Sequence, residues 1–136
     1  MIALFYCGLL GLLMAALSIR VPFRRFARQI AFGDGGDPVL ATRIRVFGNF
    51  AEYVPFILLV LLALEWQGGS AAFLHGAGIA LLLARLLHAV SLVSTGGGRR
   101  HRIGRAIAAM ATWLVLLACA GYALVLALRS GLVLPS

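Results

Sequence analysis

Residues 37–66 read DPVLATRIRVFGNFAEYVPFILLVLLALEW, and this stretch decides the fold. Asp37-Pro38 is a helix start, with Asp as the cap and Pro in the first turn, where a missing N–H is no loss. An unbroken apolar run from Ile57 to Leu64 follows, then Trp66 as an interface anchor. A helix from about Pro38 to Trp66 is long enough to cross a hydrocarbon layer of ~30 Å. Its first half nevertheless carries Arg45, Asn49 and Glu52. At about 100° per residue these three fall within about 60° of one another, with Tyr53 and Phe56 flanking them. One face thus presents a cation, an amide, a carboxylate and a phenol, from the interface inward. Glu52 lies about 20 Å along the helix at ~1.5 Å per residue. A bare carboxylate at such depth is costly, on insertion scales about 2.5–3.5 kcal/mol, and needs a partner.

Outward from this helix the chain repeats the same theme. Of its 136 residues 62% are hydrophobic, and the mean hydropathy is +1.03. The apolar residues gather in runs separated by short polar stretches, as in a chain whose solvent is lipid. The runs predict four spans, at about 1–19, 38–66, 71–93 and 103–128, in one all-α membrane domain. Gly33-Asp34-Gly35-Gly36 breaks the first connection, Gln67-Gly68-Gly69-Ser70 the second and Ser94-Thr95-Gly96-Gly97-Gly98 the third. The opening run has no basic leader and no small-residue cleavage site before Ile19-Arg20-Val21-Pro22, so it reads as a retained span.

Charge sets the orientation. The net charge is +8, and all 12 basic side chains are Arg. Arg20, Arg24, Arg25, Arg28, Arg43 and Arg45 border the first connection, and Arg99, Arg100, Arg102 and Arg105 the third. The second connection has none, and only Arg129 follows the last span. The positive-inside rule places the first and third connections in the cytoplasm and both termini outside. All-Arg usage with abundant Ala, Leu and Gly suggests a GC-rich bacterial genome, and hence a bacterial inner membrane. Arginines that border apolar segments are matched to topology and anionic headgroups, and nucleic acid is not expected as a partner. Cys7 and Cys119 lie within apolar runs without any CxxC or Cys/His cluster, so neither a disulfide framework nor a metal site is expected.

The third span supplies candidate partners for the stripe. Arg85 and His88 lie close to one face of an otherwise apolar run, Ile79-Ala-Leu-Leu-Leu-Ala-Arg85-Leu-Leu-His88. An Arg85–Glu52 pair is one expectation; Arg45 acting through Asn49 is another. The arrangement reads either as a packing network between helices or as a polar ligand cradle.

At these residues the chain resembles the MAPEG family, the membrane-associated proteins in eicosanoid and glutathione metabolism. The likeness rests on Arg45-Val-Phe-Gly-Asn49-Phe-Ala-Glu52-Tyr53-Val-Pro55, with Ala84-Arg85-Leu-Leu-His88 in support, and the glycine-rich stretch before it is similar to the small bacterial branch. The resemblance implies a homotrimer of four-helix subunits. It implies glutathione as co-substrate between subunits on the cytoplasmic side, held by Arg45, Asn49, Glu52, Tyr53, Arg85 and His88. It implies that Arg99 or Arg102, at the start of the fourth helix, is the catalytic residue that stabilises the thiolate. The second substrate is then a lipophilic small molecule, an electrophile or hydroperoxide, entering from the membrane lipids. Leu92 stands where glutathione-binding members often carry Tyr.

The leading reading is therefore a glutathione-dependent transferase or peroxidase. Its rival is a non-catalytic lipid-binding or scaffold protein of the same fold, separated from it by glutathione-dependent thermal stabilisation. A small multidrug transporter is a third possibility. One type of such transporter needs a carboxylate in its first helix, and the first helix here has no acidic residue.

Overall fold

The computed structural model describes residues 1–93 and 99–129, the side chains of residues 92, 93 and 100–102 excepted. The described residues form four α-helices: α1 (Ile2–Arg28), α2 (Pro38–Trp66), α3 (Ala71–Val93) and α4 (Arg99–Arg129). All four contain a stretch long and apolar enough to cross a membrane.

Two helices run further than their apolar patterns predict. α1 does not stop near Ile19 but passes through Pro22 to Arg28. Pro22 removes one N–H, a loss membrane helices tolerate. The helix ends where Gln29 turns left-handed (φ 54°) and its N–H returns to the carbonyls of Arg25 and Phe26. Arg25 and Arg28 occupy the last turn, where cations suit the helix dipole. The 27 residues of α1 span about 40 Å, more than the ~30 Å hydrocarbon layer, so its basic end projects beyond the layer. α4 likewise begins at Arg99 rather than near Ile103.

α2 and α3 make the centre of the bundle. α1 packs on both, α4 packs on both, and among the described residues α1 and α4 do not meet. The core runs along Tyr6 and Leu10 of α1, Phe50, Ile57 and Leu61 of α2, and Leu74 and Leu81 of α3, all nearly inaccessible. α1 and α3 approach closely at Gly78, where an added Cβ would strike the Tyr6 ring. The same Tyr6 places its hydroxyl 3.0 Å from Nδ1 of His75.

Side chains clasp the α1–α2 hairpin at both ends. At the end where α2 begins, Asp37 caps it by accepting from the N–H groups of Val39 (2.9 Å) and Leu40 (3.0 Å). Its other oxygen meets Arg24 Nη2 at 2.9 Å and Arg28 Nε at 3.3 Å. At the far end Glu65 accepts from the backbone N–H groups of Ile2 and Ala3 and lies 2.8 Å from the Met1 nitrogen. The α2–α3 turn is held by Tyr122 of α4, whose hydroxyl accepts from Ser70 N–H at 3.0 Å.

Candidate functional site

The buried residues of α2, among them Val46, Phe50, Val54 and Ile57, define its inward face. On the helical wheel the Arg45–Asn49–Glu52 stripe lies across from that face, as ~100° per residue requires. Arg45 and Glu52 are exposed, Asn49 and Tyr53 half-buried, and Phe56 is exposed. The stripe therefore leaves the bundle of one chain instead of entering it. Gly48 adds to the opening: a Cβ there would meet only Glu52 Oε1, at 3.9 Å.

Arg85 does the reverse. It is 2% exposed, the largest fully buried side chain among the described residues. Its Nη1 donates to Asn49 Oδ1 at 2.7 Å. Its Nη2 donates to the Ala108 carbonyl at 3.3 Å and to Thr112 Oγ1. The Thr112 hydroxyl in turn donates to the Ala108 carbonyl at 2.9 Å. One guanidinium thus ties α2, α3 and α4 together, and its Nε alone has no partner in the structure. A buried cation is tolerated in a membrane bundle when such donors are taken up by side-chain and backbone oxygens.

The expected Arg85–Glu52 pair is not formed. Glu52 points out of the bundle while Arg85 points into it, and among the described residues Glu52 has no ion-pair partner. Asn49 sits at the boundary, with its carbonyl oxygen held by Arg85 from behind. Because that oxygen accepts, the amide NH2 is left for the outward side. Arg85, buried in the single chain, lies behind the stripe and reaches it through Asn49. His88, one turn on, is 8% exposed and is likewise inside the bundle.

The remaining candidates lie at the basic end. Arg99 is exposed and is the first residue of α4. The side chain of Arg102 lies outside the described residues. Asp37 holds the basic end of α1 against the start of α2. Burial pushes its carboxyl up, but the Leu40 and Val39 N–H groups and Arg24 outweigh this and hold it below the usual carboxylate range.

Sequence reasoning passes over Thr112 and Glu65. Thr112 is a lone hydroxyl in an apolar run and signals itself only weakly. Glu65 reads, with Trp66, as the end of the second helix at an interface, whereas its carboxylate accepts from the first N–H groups of α1.

Residues 3–125 match the sequence model of the MAPEG family. The chain is 34% identical over 119 residues to the Inner membrane protein YecN of Escherichia coli K12, covering 86% of each chain. It is equally similar to the protein of that name in Escherichia coli O6:H1 strain CFT073. No solved structure gives a significant match. A sequence match over nearly the whole length, on a bundle of four membrane-length helices, places this chain in the MAPEG family.

Proposed function

We propose that the protein is a membrane-embedded glutathione-dependent transferase or peroxidase acting on lipophilic electrophiles or hydroperoxides, assembled as a homotrimer in the inner membrane. The observation that carries the proposal is the outward stripe. Arg45 and Glu52 leave the bundle from a long apolar helix, at positions where exposure to lipid is costly. A neighbouring copy that covers them turns a liability into an intersubunit groove. The donor set suits the tripeptide: Arg45 for a carboxylate, Glu52 for the ammonium group, the Asn49 amide and the Tyr53 phenol between them.

The chemistry needs a thiolate. Arg99 and the first-turn N–H groups of α4 together favour the anion, as cations and helix N-termini do for thiols. Arg102 is the second candidate for this role. In conjugation the thiolate sulfur bonds to the electrophilic carbon while the carbon–halogen bond breaks and halide departs. With a hydroperoxide, two thiols are oxidised to the disulfide while the peroxide is reduced to alcohol and water. Arg85 and His88 support the groove from inside the bundle.

Leu92 favours a second reading, a non-catalytic lipid-binding protein, because the thiol end then lacks a phenol. Titration calorimetry with glutathione on the detergent-solubilised protein, followed by turnover of a lipophilic aryl halide, separates the two. Saturable binding with turnover supports the enzyme; binding without turnover supports the second reading; no binding at millimolar glutathione removes glutathione altogether. The proposed orientation puts the 20–45 and 99–105 regions in the cytoplasm and both termini outside. Reporter fusions after Arg28 and Arg100 reading cytoplasmic, and one at the C-terminus reading external, accord with it; an inverted pattern overturns it.

A further inference from the structure

α1 and α3 leave a groove between them that is lined by no residue of the α2 stripe. Leu13, Ala16 and Leu17 of α1 form one wall, Leu86, Ala89 and Val90 of α3 the other, and Arg20 stands at one end. The volume is about 500 Å³, within the ~300–1,000 Å³ usual for ligand sites. The wall positions recur at three and four residues, so each helix gives the groove one continuous strip. Ala16 and Ala89 supply the width, since neither side chain fills the gap.

The depth of Arg20 follows from α1. Arg20 is the first charged side chain after the apolar run of α1, so it falls at the layer's edge. Phe23 (68% exposed) and Phe26 (89% exposed) follow it into the interfacial zone, where exposed rings are stable beside headgroups. Among the described residues the Arg20 side chain has no hydrogen-bond or ion-pair partner; only its carbonyl is engaged, by Arg43 Nη1 at 2.8 Å. Its neighbours differ in this: Arg24 and Arg28 are held by Asp37, and Arg25 donates to the Ala31 carbonyl.

We infer that this groove is a binding site for one anionic phospholipid, with an acyl chain between α1 and α3 and the phosphate on the Arg20 guanidinium. The apolar strip excludes a free phosphate or a peptide as the natural occupant. The free cation at the headgroup level selects against a neutral lipid. A guanidinium binds a phosphate through two parallel N–H donors, a geometry that zwitterionic lipids share but without the favourable net charge. The site does not depend on the glutathione reading, because it shares no residue with the stripe.

Native mass spectrometry of the protein in mild detergent, given equal amounts of phosphatidylglycerol and phosphatidylcholine, tests this. Retention of phosphatidylglycerol over phosphatidylcholine by about fivefold is expected, the factor one interfacial arginine contributes. Arg20→Gln removes that preference. Arg105→Gln, which takes the same charge from the exposed part of α4, leaves it intact. Ala16→Phe fills the groove from its exposed side and lowers retention of both lipids. Equal retention of the two lipids by the parent protein overturns the inference. So does an equal loss in Arg20→Gln and Arg105→Gln, which marks a diffuse basic rim. An altered oligomer mass in Ala16→Phe assigns the groove to a second copy and also overturns it. Should Arg20→Gln not fold, the parent preference and the Ala16→Phe result decide the matter.

Discussion

Replacing Arg85 should expose which residues it serves. Arg85→Ala removes donors from the Asn49 carbonyl oxygen, the Ala108 carbonyl and Thr112, and leaves a hole where the largest buried side chain stood. Removing one member of a buried charged network costs about 3–5 kcal/mol in soluble proteins. Asn49→Ala deletes one charge-assisted hydrogen bond and leaves Nη1 unpaired, a loss of about 1–3 kcal/mol. Because both changes break the same bond, the double variant should lose about 1–2 kcal/mol less than the sum. Arg85→Ala with Glu52→Ala should instead be additive within about 0.5 kcal/mol, since the two side chains face opposite ways. Unfolding by sodium dodecyl sulfate in mixed micelles, followed by helicity, gives these differences. Strong coupling between Arg85 and Glu52, with none between Arg85 and Asn49, would refute the assignment of Arg85 to the inside of the bundle.

Two further outcomes follow from the clasps and contacts of α1. The Asp37 carboxyl is held below its ordinary range, so its contribution is complete above the unfolded value of about 3.9 and is lost as pH falls through the lower folded value; the thermal midpoint should drop on that acid limb less steeply in Asp37→Asn than in the parent. Gly78→Ala should destabilise by about 1–3 kcal/mol, because its methyl enters the Tyr6 ring, and Tyr6→Leu should relieve part of that loss; equal stability of Gly78→Ala and the parent in the same unfolding assay would mean that α1 and α3 are further apart than described.

The sequence carried some of this plainly and some not at all. The start of α2 is written in Asp37-Pro38, because the cap is a local interaction completed within three residues. The polar stripe is legible because helical periodicity is also local. Which neighbour each polar side chain meets is not local. Asn49 and Glu52 differ by about 60° around the helix axis, and that rotation alone decides that Arg85 takes one and not the other. Thr112 is silent in the sequence for the same reason, since its role exists only where α3 and α4 come together. The end of α1 and the start of α4 lie beyond their apolar runs, because hydropathy reports only where lipid ends; α1 continues past that boundary to a last turn capped by Gln29, and α4 already includes Arg99 ahead of its apolar run.

The two clasps of the α1–α2 hairpin have a consequence for biogenesis. Asp37 binds the basic end of α1 to the head of α2, and Glu65 binds the head of α1 to the end of α2. Every residue in these contacts lies ahead of α3 in the chain. The hairpin can therefore close as soon as Glu65 clears the insertion machinery, with no contribution from the later helices. Transmembrane helices form first and associate second. The early pair here has its own means of association, and its inner face, with Phe50 and Ile57, becomes a finished template against which α3 and then α4 are laid down during synthesis.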